Sequence, residues 1–209
     1  MAVSEKRVFS PAFTGLSCTA LLIVSHLLSQ YSALSPDIGA LNTVLRIIAM
    51  CECVHLVRVT SALSYTHVWD SGEGVMLFSM PVVNLLVTAV QLFAGDGVMP
   101  SGAVFVAVLT LFSLPAFFCY YFAFYLRISG GKRKRVTQNA LRICGIAYTL
   151  VRVADKALFP AISAKHDLQS VDFLVKAVSY SSSVSLALYA AAAIGFVFSM
   201  ITYRRRRKR

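Results

Sequence analysis

The fold is decided by the stretch from Ala177 to Arg209, which reads AVSYSSSVSLALYAAAAIGFVFSMITYRRRRKR. Between Ala177 and Thr202 the only ionisable side chains are Tyr180 and Tyr189. As a helix rising ~1.5 Å per residue, an apolar run of this length spans a hydrocarbon core of ~30 Å. The arginines end the span, because a guanidinium at the bilayer centre costs at least ~2.5 kcal/mol. The stretch therefore predicts an integral membrane protein.

The composition of the whole chain agrees with this prediction. Hydrophobic residues make up 57% of the 209 residues and charged residues only 14%, whereas soluble domains carry ~25% charged residues. The mean hydropathy is +0.70. A chain this apolar and this poor in charge is typical of a membrane protein rather than of a soluble enzyme or binding domain.

Eleven of the 20 lysines and arginines lie in two basic runs. The first is Arg127 with the inner basic run Lys132, Arg133, Lys134 and Arg135; the second is the terminal basic run Arg204, Arg205, Arg206, Arg207, Lys208 and Arg209. Charge concentrated beside apolar helices favours anionic lipid headgroups or a targeting receptor as partners. Nucleic acid is not expected as a partner, because basic residues are not spread over a folded face with stacking aromatics.

Six helical segments follow from the periodicity and from the breaking residues. They cover residues 11–34, 38–63, 75–94, 103–126 and 136–159 and the final span. Pro11 is expected to start the first helix, and Pro115 to kink the fourth. The predicted fold is all-α: an integral membrane protein with two to six membrane-associated helices, some of them amphipathic. It forms one membrane domain over residues 1–209, with partly interfacial helices in 1–100 and a span, a basic run, an amphipathic helix and the final span in 101–209.

The fifth segment has the most regular pattern. Its polar strip occupies less than ~100° of a helix and consists of Gln138, Arg142, Gly145, Thr149, Arg152 and Lys156. The opposite side carries apolar residues, among them Ile143, Leu150 and Val151. Asp155, three residues after Arg152, is expected to neutralise part of the strip. Such a helix is suited either to lying in a headgroup layer or to packing within a bundle.

Catalytic and metal-binding patterns do not occur in the sequence, so neither an enzyme activity nor a cofactor or metal is expected. The four histidines lack HxxxH or HxH spacing: His26, His55, His67 and His166. Neither GxSxG, Walker A nor HExxH is found. Glu52 and His55, three residues apart, predict a local hydrogen-bonded pair, with a proton relay as the alternative.

The cysteines are odd in number and lie within apolar segments: Cys18, Cys51, Cys53, Cys119 and Cys144. None of them forms a CxxC pair. We interpret them as buried reduced thiols.

The order of elements from Ser101 to Tyr203 resembles the C-terminal half of the peroxin-11 family, the membrane-elongation proteins of peroxisomes. In that family an apolar span precedes a basic stretch, an amphipathic helix with spaced arginines and a later aspartate, a proline, and a final span that opens with serines. The matching residues here are KRVTQNALR at 134–142, RVAD at 152–155, Pro160 and SSSVSL at 181–186. Upstream, the segment from Leu45-Arg46 to Val57-Arg58 is similar to the arginine-spaced helices of the family.

The resemblance implies a non-enzymatic protein of the peroxisomal or glycosomal membrane that promotes membrane elongation, proliferation and division. Amphipathic helices would insert into one leaflet, and copies of the chain would self-associate through their spans. The implied partners are anionic lipids, further copies of the chain, the import receptor for peroxisomal membrane proteins and fission machinery. Gln138, Arg142, Thr149, Arg152 and Lys156 are the expected membrane-surface residues. The two basic runs are expected to act in targeting or anchoring, or more simply as stop-transfer flanks.

A second interpretation is a small multi-span transporter or pore, or an accessory subunit of a mitochondrial membrane complex. Asn84, Thr88 and Gln91 share one face of the third segment, and Arg46 and Arg152 are unusually polar for a simple anchor. The membrane would then be mitochondrial or that of the endoplasmic reticulum.

Overall fold

The computed structural model of the protein describes residues 3–31, 35–63, 72–94, 112–128, 135–158 and 171–207. The helices within these ranges are α1 Val3–Ser29, α2 Pro36–Leu63, α3 Gly72–Ala94, α4 Leu114–Ile128, α5 Arg135–Val153 and α6 Val171–Arg207. α5 continues into one π-helical segment, Ala154–Leu158. Almost every residue in these ranges is helical and none lies in a strand, so the predicted all-α fold is confirmed.

Four of the described helices are long and apolar enough to cross a membrane. The candidate spans are Pro11–Ser29, Pro36–Ala62, Gly72–Val90 and Ser182–Ile201. At most 33% of each apolar window is buried inside the protein, so most of this surface faces outward, as contact with lipid requires. The chain is a multi-pass integral membrane protein.

The ends of α1 differ from the predicted ones. α1 begins at Val3 and passes through Pro11, so the prediction that Pro11 is the first helical residue is wrong. A proline inside a helix removes one backbone hydrogen bond, and here the helix continues on both sides of it. The helix ends at Ser29 rather than near residue 34, and Gln30 and Tyr31 form a turn.

The start of α4 also differs from the prediction. Phe112 and Ser113 are not helical, and the backbone N–H of Phe117 donates to the carbonyl of Ser113. Pro115 therefore lies in the first turn of the helix. Backbone N–H groups there have no partner within the helix, so the missing N–H of proline costs no hydrogen bond. The predicted kink at Pro115 is wrong, as is the unbroken helix over 103–126. Residues 103–111 of that prediction lie outside the described ranges.

The chain forms two compact units, residues 1–85 with 189–209 and residues 86–188. In the first unit, α1 and α2 make an antiparallel hairpin. The Ser17 hydroxyl donates to Oε1 of Glu52 at 3.0 Å, and the Ser25 hydroxyl donates to Oδ1 of Asn42 at 2.5 Å. Residue 17 of α1 pairs with residue 52 of α2, and the later residue 25 pairs with the earlier residue 42. The two helices are therefore antiparallel.

Small side chains allow the helices of the first unit to approach closely. Cys18, Ala49 and Cys53 are fully buried, and the sulfur atoms of Cys18 and Cys53 lie 3.1 Å apart. At Gly15 an added Cβ would lie 2.3 Å from the ring of Phe196 in α6. Small residues at helix contacts are the usual way in which membrane helices pack, because lipid supplies no hydrophobic drive between them.

The second unit is built around the aromatic side chains of α4. Phe117, Phe118 and Tyr121 are at most 1% exposed, and the rings of Phe117 and Tyr121 stack with their centroids 6.1 Å apart. α4 packs against α5. This unit therefore places the patterned helix α5 against a rigid aromatic support.

Candidate functional site

The polar strip of α5 faces the interior of the second unit over its central part. Gln138 and Thr149 are 9% and 7% exposed, and Gly145 is buried. Arg142 and Arg152 are half-buried, while Lys156 is exposed. The strip is thus a packing face at its centre and reaches the surface through its long cationic side chains, whose apolar stems can lie along the protein.

The reason for this orientation is the close contact between α5 and α4. An added Cβ at Gly145 would lie 2.9 Å from the ring of Tyr120 and 3.2 Å from Cβ of Cys119. The hydroxyl of Thr149 donates to the carbonyl of Gly145 at 2.9 Å, which satisfies it within the helix. Glycine leaves room for α4 at this position, and the side chain of Thr149 is also hydrogen bonded to Tyr120 on α4.

The opposite, apolar face of α5 is the exposed one. The exposed fraction is 80% for Val136, 66% for Ile143, 51% for Ile146, 63% for Leu150 and 56% for Val151. In water this arrangement would be unfavourable by about 25 cal/mol per Å² of apolar surface. In a membrane protein it is the arrangement expected of a helix whose apolar side enters lipid. We name this set of five residues the apolar face of α5.

In the polar strip of α5, Arg152 has an acidic partner. Nη1 of Arg152 lies 3.3 Å from Oδ2 of Asp155, whose side chain is only 2% exposed. The predicted neutralisation of Arg152 by Asp155 is confirmed. The other carboxylate oxygen, Oδ1, is buried and has no hydrogen-bond partner among the described residues. Asp155 lies in the π-helical segment that follows α5, and such segments are frequent at functional sites.

A polar contact fixes α5 to the start of the final span within the second unit. The hydroxyls of Tyr148 and Ser185 are hydrogen bonded at 2.6 Å. Burial raises the pKa of Tyr148, although the Ser185 hydroxyl and the Arg152 guanidinium act in the opposite direction. Because Tyr148 is anchored, the apolar face of α5 keeps its outward direction.

The basic runs lie at the ends of helices. Arg135 is the first residue of α5 and is exposed, while Lys132, Arg133 and Lys134 lie outside the described residues. α6 stays helical through Arg204, Arg205, Arg206 and Arg207, so this part of the terminal basic run continues the helix of the span without a break. Lys208 and Arg209 lie outside the described residues.

Other candidates from the sequence lie in the first unit. The predicted Glu52–His55 hydrogen bond is replaced by the bond from Ser17 to Glu52, and His55 is exposed. His26 forms an edge-to-face contact with Tyr189 at 6.3 Å, as a helix-contact histidine does. Within the described ranges, no group of three His, Cys, Asp or Glu side chains is placed to hold a metal ion.

The polar face predicted on α3 is only partly visible. Thr88 is 8% exposed, and the side-chain nitrogen of Asn84 donates to the carbonyl of Met80 at 2.8 Å. The side chain of Gln91 lies outside the described part of the structure. Arg46 on α2 is exposed.

Reasoning from sequence missed two features of the helix pairs. The first is that each pair brings two thiols together: Cys18 with Cys53, and Cys119 with Cys144, whose side chains are hydrogen bonded. The prediction that all cysteines are buried is wrong for Cys51 and Cys144, which are exposed. The second is that the apolar face of α5, not its polar strip, is the outward surface. The helical periodicity of the sequence identifies the apolar side of α5. Whether that side faces outward depends on which side of α5 packs against α4.

Comparison of the chain with protein-family models, with curated proteins and with solved structures gave no match. The resemblance to the peroxin-11 family therefore rests on the residues themselves.

Proposed function

We propose that this protein shapes the membrane of peroxisomes or glycosomes, where it promotes elongation and proliferation before division and acts without enzymatic chemistry. The observation that carries the proposal is the exposed apolar face of α5 opposite its polar strip, in a chain with four candidate membrane spans. The organelle comes from the resemblance of residues 101–203 to the peroxin-11 family.

The mechanism is a wedge. α5 is not one of the four candidate spans, so it lies at a surface of the bilayer with Ile143, Leu150 and their neighbours below the headgroups. Arg142, Arg152 and Lys156 remain at the headgroup level, where each cation gains about 1 kcal/mol near an anionic surface. Insertion into one leaflet expands that leaflet relative to the other and favours curvature.

The spans give the wedge its anchor. α5 is tied to Ser185 at the start of the last span, through the hydroxyl of Tyr148. A surface helix held in this way stays at the bilayer without needing its own affinity to keep it there. Self-association through the spans would concentrate many α5 helices in one area of membrane. The main partners proposed are therefore lipids and further copies of the chain. The terminal and inner basic runs are proposed to engage the import receptor, and fission machinery to act on the resulting tubules.

The test is reconstitution of the full chain into phosphatidylcholine vesicles that contain phosphatidylserine, with tubules counted by electron microscopy. Ile143→Ala with Leu150→Ala removes apolar surface from the face, and each truncation costs about 1.5 kcal/mol or more of insertion free energy. We expect tubules to fall at least tenfold. Ile143→Leu with Leu150→Met keeps the apolar surface and serves as the matched control. Equal tubulation by both double variants would refute the wedge mechanism.

Localisation tests the organelle separately. A fluorescently tagged chain is expected to overlap a peroxisomal or glycosomal membrane marker. Mitochondrial staining would overturn the organelle assignment while leaving the wedge mechanism to the vesicle experiment.

The second candidate function is transport, and it is favoured by the Arg152–Asp155 pair. A buried ionic pair with an unpartnered oxygen is unusual for a helix that only wedges lipid. If the protein is a transporter, solute should enter the same vesicles, and Arg152→Ala should abolish this flux. Tubules without flux favour the elongation protein.

A further inference from the structure

A groove of about 400 Å³ runs between α1 and α2 in the first unit. Phe13, Ile47 and Ile48 form its apolar walls. Its polar groups include Thr14, Ser17, Glu52 and His55. The volume falls within the range of ~300–1,000 Å³ of small-molecule sites. Both helices are candidate membrane spans, so the groove opens toward lipid.

The carboxyl group of Glu52 is half satisfied. Oε1 accepts the hydrogen bond of Ser17 at 3.0 Å. Oε2 is buried and has no hydrogen-bond partner among the described residues. A buried acceptor without a donor costs about 1–3 kcal/mol, and more when it is charged. A ligand that brings N–H donors and a positive charge to this oxygen would remove that cost.

The depth of Glu52 suits the head of an amphiphile. Its partner Ser17 lies ~9 Å along α1 from Pro11, where the apolar span begins, at ~1.5 Å per residue. The polar end of the groove is therefore near one edge of the hydrocarbon layer. A hydrocarbon chain attached to a head at this level can follow Ile48 and Ile47 toward the bilayer centre, while Phe13 covers the head from the side of the membrane edge.

The charge of the groove selects the kind of head. No arginine or lysine is among the described residues that line the groove, so a phosphate or carboxylate head would meet Glu52 and no cation of this part of the structure. An ammonium head meets an acceptor at Glu52 and, at the rim, a ring nitrogen of His55 that accepts when neutral. We propose that the α1–α2 groove binds a single-chain amphiphile with a protonated primary amine.

The proposal is tested on the full chain in phosphatidylcholine nanodiscs. The probe is hexadecylamine with a photoreactive diazirine in its chain, and labelled peptides are mapped by mass spectrometry. We expect labelling to concentrate in α1 and α2 beside Ile47 and Ile48. Unlabelled hexadecylamine should compete, whereas hexadecanol and hexadecanoic acid should not.

Two variants locate the interaction. Glu52→Gln removes the charge and should lower groove labelling about tenfold or more, the effect of losing a charge-assisted hydrogen bond. The matched control is Glu73→Gln on α3, which should leave labelling unchanged. Ile48→Trp fills the groove but keeps the carboxylate, and it should also lower labelling if Glu52→Gln fails to fold.

Four results would overturn the proposal. Undiminished labelling of Glu52→Gln would show that the carboxyl group does not bind the head. Equal competition by hexadecanoic acid would indicate an unselective apolar groove, and equal competition by phosphatidylethanolamine would indicate a two-chain aminophospholipid. Labelling spread evenly over the exposed apolar residues of all spans would mean partition from the bilayer alone. None of these results bears on tubulation by α5.

Discussion

The α1–α2 hairpin and the α4–α5 pair differ in how they bury their polar groups. In the hairpin, small side chains and the two hydroxyls of Ser17 and Ser25 lie between helices that are apolar along most of their length. In the α4–α5 pair, a continuous polar strip with three cations lies partly against an aromatic helix. Both pairs turn apolar side chains outward, as lipid contact requires.

The difference bears on the proposal that α5 is a surface helix rather than a span. Outward apolar side chains occur in both, such as Val24 and Ile48 in the hairpin and Ile143 and Leu150 in α5. Charge occurs in both, since α2 carries Arg46 and Arg58. What α5 adds is the concentration of its cations in one strip opposite a short apolar face, and this disfavours a full crossing because cations need the headgroups or water.

The largest effect is expected at the ion pair of α5. Arg152→Ala leaves Asp155, only 2% exposed, without its counter-charge. Breaking a buried pair in this way costs about 3 kcal/mol of the free energy of unfolding, the low end of the usual range because Arg152 itself is 25% exposed. Denaturant titration of the protein in mild detergent measures it.

The control for this prediction is Arg142→Ala. Arg142 is on the same strip, and its contact with Asn139 at 3.4 Å is exposed, so less than about 0.5 kcal/mol should be lost. Equal losses at both positions would mean that the strip acts through general charge rather than through the Arg152–Asp155 pair.

The next effect is expected in the first unit. Gly15→Ala places a Cβ 2.3 Å from the ring of Phe196, which is 2% exposed and has no room to turn away. Overpacking of this kind costs about 2 kcal/mol, and thermal unfolding followed by circular dichroism should report it. Gly72→Ala, where nothing lies within 4 Å, is the matched control. The idea fails if adding Phe196→Ala does not relieve the loss at Gly15.

A smaller effect is expected at the anchor of α5. Tyr148→Phe removes the hydrogen bond to Ser185 and should cost about 1 kcal/mol. Since burial raises the pKa of Tyr148, the neutral hydroxyl is favoured in the folded protein. Its contribution is complete below the unfolded pKa of ~10 and is lost as the pH rises through the folded value.

Stability curves measured as a function of pH decide this point. The unmodified protein should lose stability above pH ~10 more steeply than Tyr148→Phe. Tyr125→Phe on α4 is the control and should keep the steep dependence. Parallel curves for the unmodified protein and Tyr148→Phe would contradict the assigned role of Tyr148.

The smallest effect is expected at Gly145. An added Cβ would approach the ring end of Tyr120 at 2.9 Å, but Tyr120 is only partly buried and can shift. The strain is offset by the better helix propensity of alanine, ~1 kcal/mol over glycine. Gly145→Ala should therefore change the free energy of unfolding by less than about 0.5 kcal/mol, against about 2 kcal/mol for Gly15→Ala. A larger loss at Gly145 than at Gly15 would reverse the comparison.

The sequence predicted the helices better than it predicted their partners. The bounds of α2 agree within two residues, and α5 together with its π-helical continuation covers 135–158 against the predicted 136–159, because period and breaking residues act locally. The helix through Pro11 and the late start of α4 were missed, since proline fits both a helix interior and a first turn. The Ser17–Glu52 bond and the inward direction of the polar strip depend on contacts between residues far apart in the sequence. One sequence alone does not reveal such contacts.

The length of α6 sets how far the bilayer can shift along the protein. Lys176 and Arg204 are the charged residues on either side of its span, and the helix is unbroken between them. At ~1.5 Å per residue they are ~42 Å apart, against a hydrocarbon thickness of ~30 Å. The excess of ~12 Å lets α6 tilt by roughly 40°, or meet membranes of unequal thickness, before a charge enters the hydrocarbon. α6 can therefore keep both of its charged ends outside the hydrocarbon layer while the membrane around it changes in thickness or curvature.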